Sequence, residues 1–186
     1  MATPLAKAEA HYRDGSSALK TSLFKWKPEH QSAAMHFERA ATSFKVAKDF
    51  PKAIDAFKKS ALSHSQTGIH YSAGKNLELA ASLATKLNDH SESVTLYLDA
   101  SLEYGLSDNL AARIKALAKA AEAQVAAGAQ DEAVSTYKEA FDLSLSEELT
   151  KRLVIDSVVT PLVNLLLKGQ KYEECAQFLI QLNNYT

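Results

Sequence analysis

One cysteine, one tryptophan, four prolines and six glycines are all that 186 residues contain of these types. With Cys175 alone no internal disulfide can form, and a reducing compartment is expected. The scarcity of Gly and Pro leaves long stretches unbroken. β-Branched residues are thin outside 153–163, so helix is favoured nearly everywhere. No glycine-rich loop follows a strand to cradle a phosphate. None of the six histidines (His11, His30, His36, His64, His70, His90) forms an HExxH motif or a His pair at i,i+4. No metal or cofactor is therefore expected.

Long apolar runs are also missing. The nearest approach, "LVIDSVVTPLVNLLL" at 153–167, spans about 22 Å as a helix, against roughly 30 Å of bilayer hydrocarbon. It carries Asp156, Pro161 and Asn164, and reads as a buried helix with a proline kink. The N-terminus lacks the apolar run of a signal peptide. The chain is expected to be soluble.

Paired carboxylates such as Glu147/Glu148 and Glu173/Glu174 fall in first helical turns, where the helix dipole favours negative charge. Cys175 occupies a small-residue core position rather than an activated one. No catalytic constellation emerges, and an enzyme is not expected. The net charge of −1 hides an asymmetry: residues 1–60 carry a net +5 and residues 61–186 a net −6. The basic part mixes both signs along its helices, so nucleic acid is not an expected partner.

What the chain does contain is a repeat of forty residues. Ala34, Phe37 and Ala40 recur as Gly74, Leu77 and Ala80, and again as Ile114, Leu117 and Ala120. A second register aligns "PKAIDAFKKSA" at 51, "SESVTLYLDAS" at 91 and "DEAVSTYKEAF" at 131. Its small positions are Ala53, Ser93 and Ala133, then Ser60, Ala100 and Ala140, with Phe57, Tyr97 and Tyr137 between them. "YEECAQFLIQL" at 172 is a fourth, slightly slipped copy. Small, large four residues on, and small three further on share one helical face. Small residues admit a neighbouring backbone and the aromatic fills the space between helices. Two such helices per unit predict a single domain at 1–186: an all-α, right-handed superhelix of tetratricopeptide-like hairpins.

Helices are expected near 4–24, 29–47, 51–65, 69–87, 90–104, 108–127, 130–145, 147–168 and 171–183. Thr3 before Pro4, Asp108 and Ser146 are candidate N-caps. Pro51 opens a helix, and Gly128 and Gly169 sit at hairpin turns.

Two groups of residues are candidates for contact with something outside. "TSLFKWKP" at 21–28 places Phe24 and Trp26 among Lys20, Lys25 and Lys27 at a helix junction. A large apolar side chain is worth about 1.5–3 kcal/mol fully buried. A lysine beside an anionic leaflet adds about 1 kcal/mol. Leu23 extends the stripe Leu5, Ala8, Tyr12, Leu19 and is assigned to the core, whereas Phe24 and Trp26 fit either a core cap or a membrane contact. The second group is basic: Lys45, Lys48, Lys52, Lys58, Lys59, Lys75, Lys86, Arg113, Lys115 and Lys119. As a field across several repeats it could steer an acidic, elongated partner.

Residues 18–65 resemble the soluble NSF attachment proteins (SNAPs), and within them the gamma form. The resemblance rests on Trp26-Lys27-Pro28, Ser32-Ala33-Ala34, Phe37, Ala40-Ala41, Phe44-Lys45, Ala47-Lys48 and Lys52-Ala53 in that order. It implies a cytoplasmic adaptor, peripheral on the cytosolic face of endomembranes. Such an adaptor binds the four-helix, syntaxin-containing SNARE complex and recruits the ATPase NSF, which pulls the bundle apart. It further implies that basic residues meet the acidic SNARE surface and that the loop between the first two helices touches membrane. Family members continue into a C-terminal bundle that engages NSF. A chain ending at Thr186 is therefore expected to bind without stimulating the ATPase, acting as a competitor, and its engagement of NSF stays open. Two other classes fit the repeat: a generic tetratricopeptide module gripping a peptide of a different partner, and a lipid-surface protein without a SNARE role.

Overall fold

A computed structural model describes residues 3–21, 26–145 and 154–183. The helices are α1 (Pro4–Leu19), α2 (His30–Val46), α3 (Phe50–Ser65), α4 (His70–Lys86), α5 (His90–Leu106), α6 (Leu110–Ala126) and α7 (Gln130–Ser144). A π-helical turn, Ile155–Val159, then leads into α8 (Thr160–Lys168), and α9 (Tyr172–Asn183) follows. Each helix from α1 to α7 packs against the next, a series of antiparallel hairpins stacked into a helical-hairpin superhelix with no strand among the described residues.

The forty-residue repeat resolves into a beat of twenty. Helices α2 to α7 start at His30, Phe50, His70, His90, Leu110 and Gln130. Lys48, Gly68, Asn88, Asp108 and Gly128, also twenty apart, all take positive φ between 52° and 83°. After each, the next backbone N–H reaches back five residues to the helix it has left. Asp49 donates to the Phe44 carbonyl, Ile69 to His64, Asp89 to Ala84, Asn109 to Tyr104 and Ala129 to Gln124, at 2.9–3.0 Å. This left-handed closure satisfies carbonyls that a helix end otherwise leaves bare. The same residue then opens the next helix, and Asp49, Asp89 and Asn109 also cap it with their side chains.

Several expectations need correction. Asp108 is not an N-cap; its φ of 52° makes it the left-handed residue, and Asn109 caps α6 by accepting from the Ala112 N–H. Gly128 is left-handed as expected, but at the later turn Gly169 has φ −77° and Gln170 takes the positive value. Helix α1 stops at Leu19 rather than 24. Lys20 is extended there, and the returning chain satisfies the helix end through a Glu29 N–H to Ala18 carbonyl bond of 3.0 Å. Leu5 is exposed rather than core, whereas Ala8 is buried; Leu23 lies outside the described residues. Of the helix expected at 147–168, residues 147–153 lie outside the description, as does Ser146. The proline takes effect as a widened turn. Thr160 N–H bonds the Ile155 carbonyl five residues back, Thr160 Oγ1 bonds it again at 3.0 Å, and Pro161 has no N–H to offer. Thr3 caps α1 and Pro51 lies in the first turn of α3, as expected.

The small–large–small face is the core. Ala53, Phe57 and Ser60, Ser93, Tyr97 and Ala100, and Ala133, Tyr137 and Ala140 are all buried. The slipped copy fits as well, with Cys175 and Phe178 buried and the Phe178 ring edge-on to Phe141 at 4.9 Å. Ser60 earns its small position differently from alanine: its hydroxyl donates to the Ala34 carbonyl at 2.9 Å and accepts from Asn76. Burial drives the Tyr137 phenol up to about 12.

Gly74 marks the closest approach. A β-carbon there would lie 2.9 Å from the Tyr104 ring and 3.2 Å from the Ala100 carbonyl. Tyr104 is buried and tied to Glu78, so its ring cannot swing away. Gly74→Ala is expected to destabilise by roughly 1–3 kcal/mol. Lys48→Gly, which relieves a left-handed lysine, should stabilise by about 1 kcal/mol. Urea midpoints at unchanged slope measure both.

Candidate functional site: a basic face and an apolar groove

The odd-numbered helices α1, α3, α5 and α7 form one layer and α2, α4 and α6 the other, and ion pairs run within each layer. Lys52 of α3 pairs with Glu9 of α1 at 2.5 Å, and Lys58 of α3 with Glu92 of α5 at 2.8 Å. Lys119 of α6 meets Glu78 of α4, and Lys138 of α7 meets Glu174 of α9 at 2.6 Å. Each joins helices one repeat apart. The α1–α3 junction adds a surface network: Tyr12 donates to Asp55 and accepts from Lys59, whose ammonium lies 4.6 Å from the Tyr12 ring centre.

These contacts divide the ten basic residues singled out from sequence. Lys52, Lys58, Lys59, Arg113 and Lys119 have carboxylate partners, Arg113 through Glu139 at 3.5 Å. Burial alone would lower the Lys119 ammonium, but the hydrogen bond and charge of Glu78 raise it above its ordinary value. The hydrogen bond that Lys52 donates to Glu9 chiefly raises its ammonium above the ordinary value. Lys45, Lys48, Lys75 and Lys115 are exposed, with no carboxylate partner among the described residues, and Lys86 lies over the Phe50 ring at 4.8 Å.

Among helices α2 to α7 the exposed cations without a carboxylate partner lie on α2, α4 and α6; on α1, Lys7 and Arg13 are exposed as well. On α2, α4 and α6 the exposed charged residues are Arg39, Lys45, Lys75, Lys86 and Lys115 against Glu122 alone. Lys75 and Lys115 hold equivalent places forty residues apart, one repeat above the other. Arg39 was missed in the sequence because no neighbouring lysine drew attention to it. The odd layer mixes signs: Asp14, Asp55, Asp99, Asp131, Glu132, Glu139 and Asp142 are exposed there with Lys7, Arg13, Lys52 and Lys58. Burial with Glu103 nearby raises the Asp99 carboxyl despite Lys58.

Between α3 and α5 the odd layer opens into a groove of about 470 Å³. Leu62, Leu77, Leu96 and Leu102 line it, with Lys58, Lys59, Asp55 and Asp99 at its edges. Leu62 and Leu102, again forty apart, are each 61% exposed. Nothing in composition distinguished these leucines from core ones.

Trp26 is 86% exposed and therefore caps no core. Lys20 and Lys27 are also exposed; Phe24 and Lys25 lie outside the described residues. No helix among the described residues is long and apolar enough to cross a membrane. Two of the histidines do meet: His11 and Asp14 on α1 face His36 on α2, with ligand atoms of all three within 4.8 Å of one another. Sequence spacing gave no sign of this, because the residues lie on different helices.

The paired and unpaired cations should respond differently to removal. Glu78→Ala strands the buried Tyr104 hydroxyl, now 2.9 Å from Glu78, together with Lys119. It is expected to cost roughly 1–3 kcal/mol. Lys115→Ala should change stability by less than about 0.5 kcal/mol, read from the same urea titrations.

The model of the family described as "Soluble NSF attachment protein, SNAP" matches residues 3–152. A gamma-soluble NSF attachment protein of Dictyostelium discoideum is 25% identical over 179 residues, covering 95% of this chain and 54% of the relative. The protein of the same description from Arabidopsis thaliana is 28% identical over 163 residues, covering 88% and 55%. The chain thus spans about half the length of the curated relatives it matches. Because the family match runs through every helix from α1 to α7, this chain belongs to the soluble NSF attachment protein family.

Proposed function

We propose that the chain is an adaptor that binds an assembled SNARE bundle at a membrane surface and presents it to the ATPase NSF. The observation that carries this reading is the family match through α1 to α7. The layer of unpaired cations supports it, since Arg39, Lys45, Lys75, Lys86 and Lys115 offer a strip of positive charge across three hairpins. An acidic, rod-like helical bundle complements such a strip along its length, and the attraction falls with added salt. The exposed Trp26 with Lys20 and Lys27 supports peripheral membrane contact, weak alone and effective once SNARE binding raises its local concentration.

The α3–α5 groove favours a second reading, a module that holds a peptide of a different partner across Leu62 and Leu102. One binding experiment separates them. With purified SNARE bundle, Lys75→Glu together with Lys115→Glu should weaken binding at least about tenfold at low salt and flatten its salt dependence. Leu62→Glu should leave that binding within about twofold of the parent. The opposite pattern would transfer the reading to the groove.

Membrane contact is tested by flotation with anionic liposomes. Trp26→Ser should reduce the floated fraction while leaving the melting temperature unchanged. Undiminished flotation would remove Trp26 from the contact.

A further inference from the structure

We propose that His11, Asp14 and His36 form a binding site for a divalent transition-metal ion of the zinc class, clamping α1 to α2. The three residues come from facing helices of the first hairpin, and their candidate ligand atoms lie within 4.8 Å of one another. His36 Nδ1 is 3.9 Å from Asp14 Oδ2, too long for a hydrogen bond, and the two imidazoles are 6.0 Å apart, tilted by 39°. The Nδ1 atoms of both histidines are shut off from solvent without a hydrogen-bond partner. A buried ring nitrogen left unpaired is costly, and bonding to a metal satisfies it.

The donor set selects the ion. Two imidazoles and one carboxylate suit zinc and its neighbours, whereas calcium and magnesium demand oxygen ligands throughout. Zinc–ligand bonds of about 2.0–2.2 Å place tetrahedral ligands roughly 3.3 Å apart. The His36–Asp14 separation must therefore close by about half an ångström. A pair at the 4.8 Å limit must close by about 1.5 Å. That movement is shared between small shifts of the imidazoles and Asp14, whose side chain is 59% exposed and free to swing inward. The same exposure gives the ion access and leaves room for a water in the fourth position. His11 and Asp14, three residues apart, already share one face of α1. The bond would cross the hairpin beside the Tyr12–Phe37 contact, where the rings meet edge-on at 5.5 Å. Binding would thereby hold α1 in its packed position.

The test uses the full chain, tag removed and stripped with chelator, titrated with Co²⁺ by visible absorption and with Zn²⁺ by calorimetry. One equivalent of each ion should bind, with the ligand-field bands of low-symmetry cobalt, and zinc should displace cobalt. His11→Gln, His36→Gln and Asp14→Asn should each weaken binding at least about tenfold. His90→Gln and Cys175→Ser should not. Zinc should raise the melting temperature of the parent chain and leave that of Asp14→Asn unmoved. Asp14→Asn decides the matter even where a histidine variant fails to fold, because that side chain is mostly in water. Absence of saturable binding, full affinity in Asp14→Asn, or loss of binding in Cys175→Ser would each overturn the site.

Discussion

The close approach of helix backbones at small residues is the constraint on which the rest of the structure depends. Ala34, Ala40, Ala53, Ala80, Ala100, Ala120, Ala133 and Ala140 are all fully buried, each where a neighbouring helix passes. Such an interface gains little area per residue, so its stability comes from many short contacts and from the aromatics that fill the remaining gaps. Phe37, Phe57, Tyr97, Tyr104 and Tyr137 perform that filling, one or two per hairpin. Gly74 goes further than alanine because Tyr104 needs its whole side-chain space. An alanine-rich interior also leaves polar work to the surface, where charged pairs join α1 to α3, α3 to α5, α4 to α6 and α7 to α9.

That division of labour shapes the functional faces. A lysine that pairs with a carboxylate of the next repeat is committed to the array and is a poor contact for another molecule. Lys52, Lys58 and Lys119 are so committed, and Lys59 is held by Asp55 on its own helix. Lys45, Lys75 and Lys115, on α2, α4 and α6, are not. The overall charge of the chain, close to zero, conceals a sorting by layer as well as by half.

Much of the fold was legible in the sequence because the packing rule is local. A small–large–small face repeats every forty residues and needs no knowledge of the partner helix. The turns were less legible: Gly128, Asn88 and Asp108 belong to residue types that tolerate left-handed backbone, but Lys48 does not, and it takes that geometry because the helices on either side fix the turn. The end of α1 was misread because the stripe through Leu19 continues to Leu23, whereas the returning chain at Glu29 closes the helix earlier. The candidate site was legible only as a list of basic residues. Apart from Lys59, whose partner Asp55 stands four residues before it, which of them are free depends on carboxylates some twenty-six to forty-three residues away, and no pattern along the chain reveals that. The meeting of His11 with His36 was hidden for the same reason.

The twenty-residue turn rule has a consequence for how such a chain can change in length. Each residue of a helix turns the next side chain by about 100°, so one residue deleted inside α4 would rotate everything beyond it out of phase with its neighbours. Lys115 would no longer stand above Lys75, nor Leu102 above Leu62. Removing or duplicating forty residues, by contrast, leaves both layers and both faces in phase. Insertions and deletions in relatives of this array should therefore come in whole hairpins or fall where the beat is already broken, as at the π-turn before α8. The array behaves as a ruler whose smallest permitted division is one hairpin.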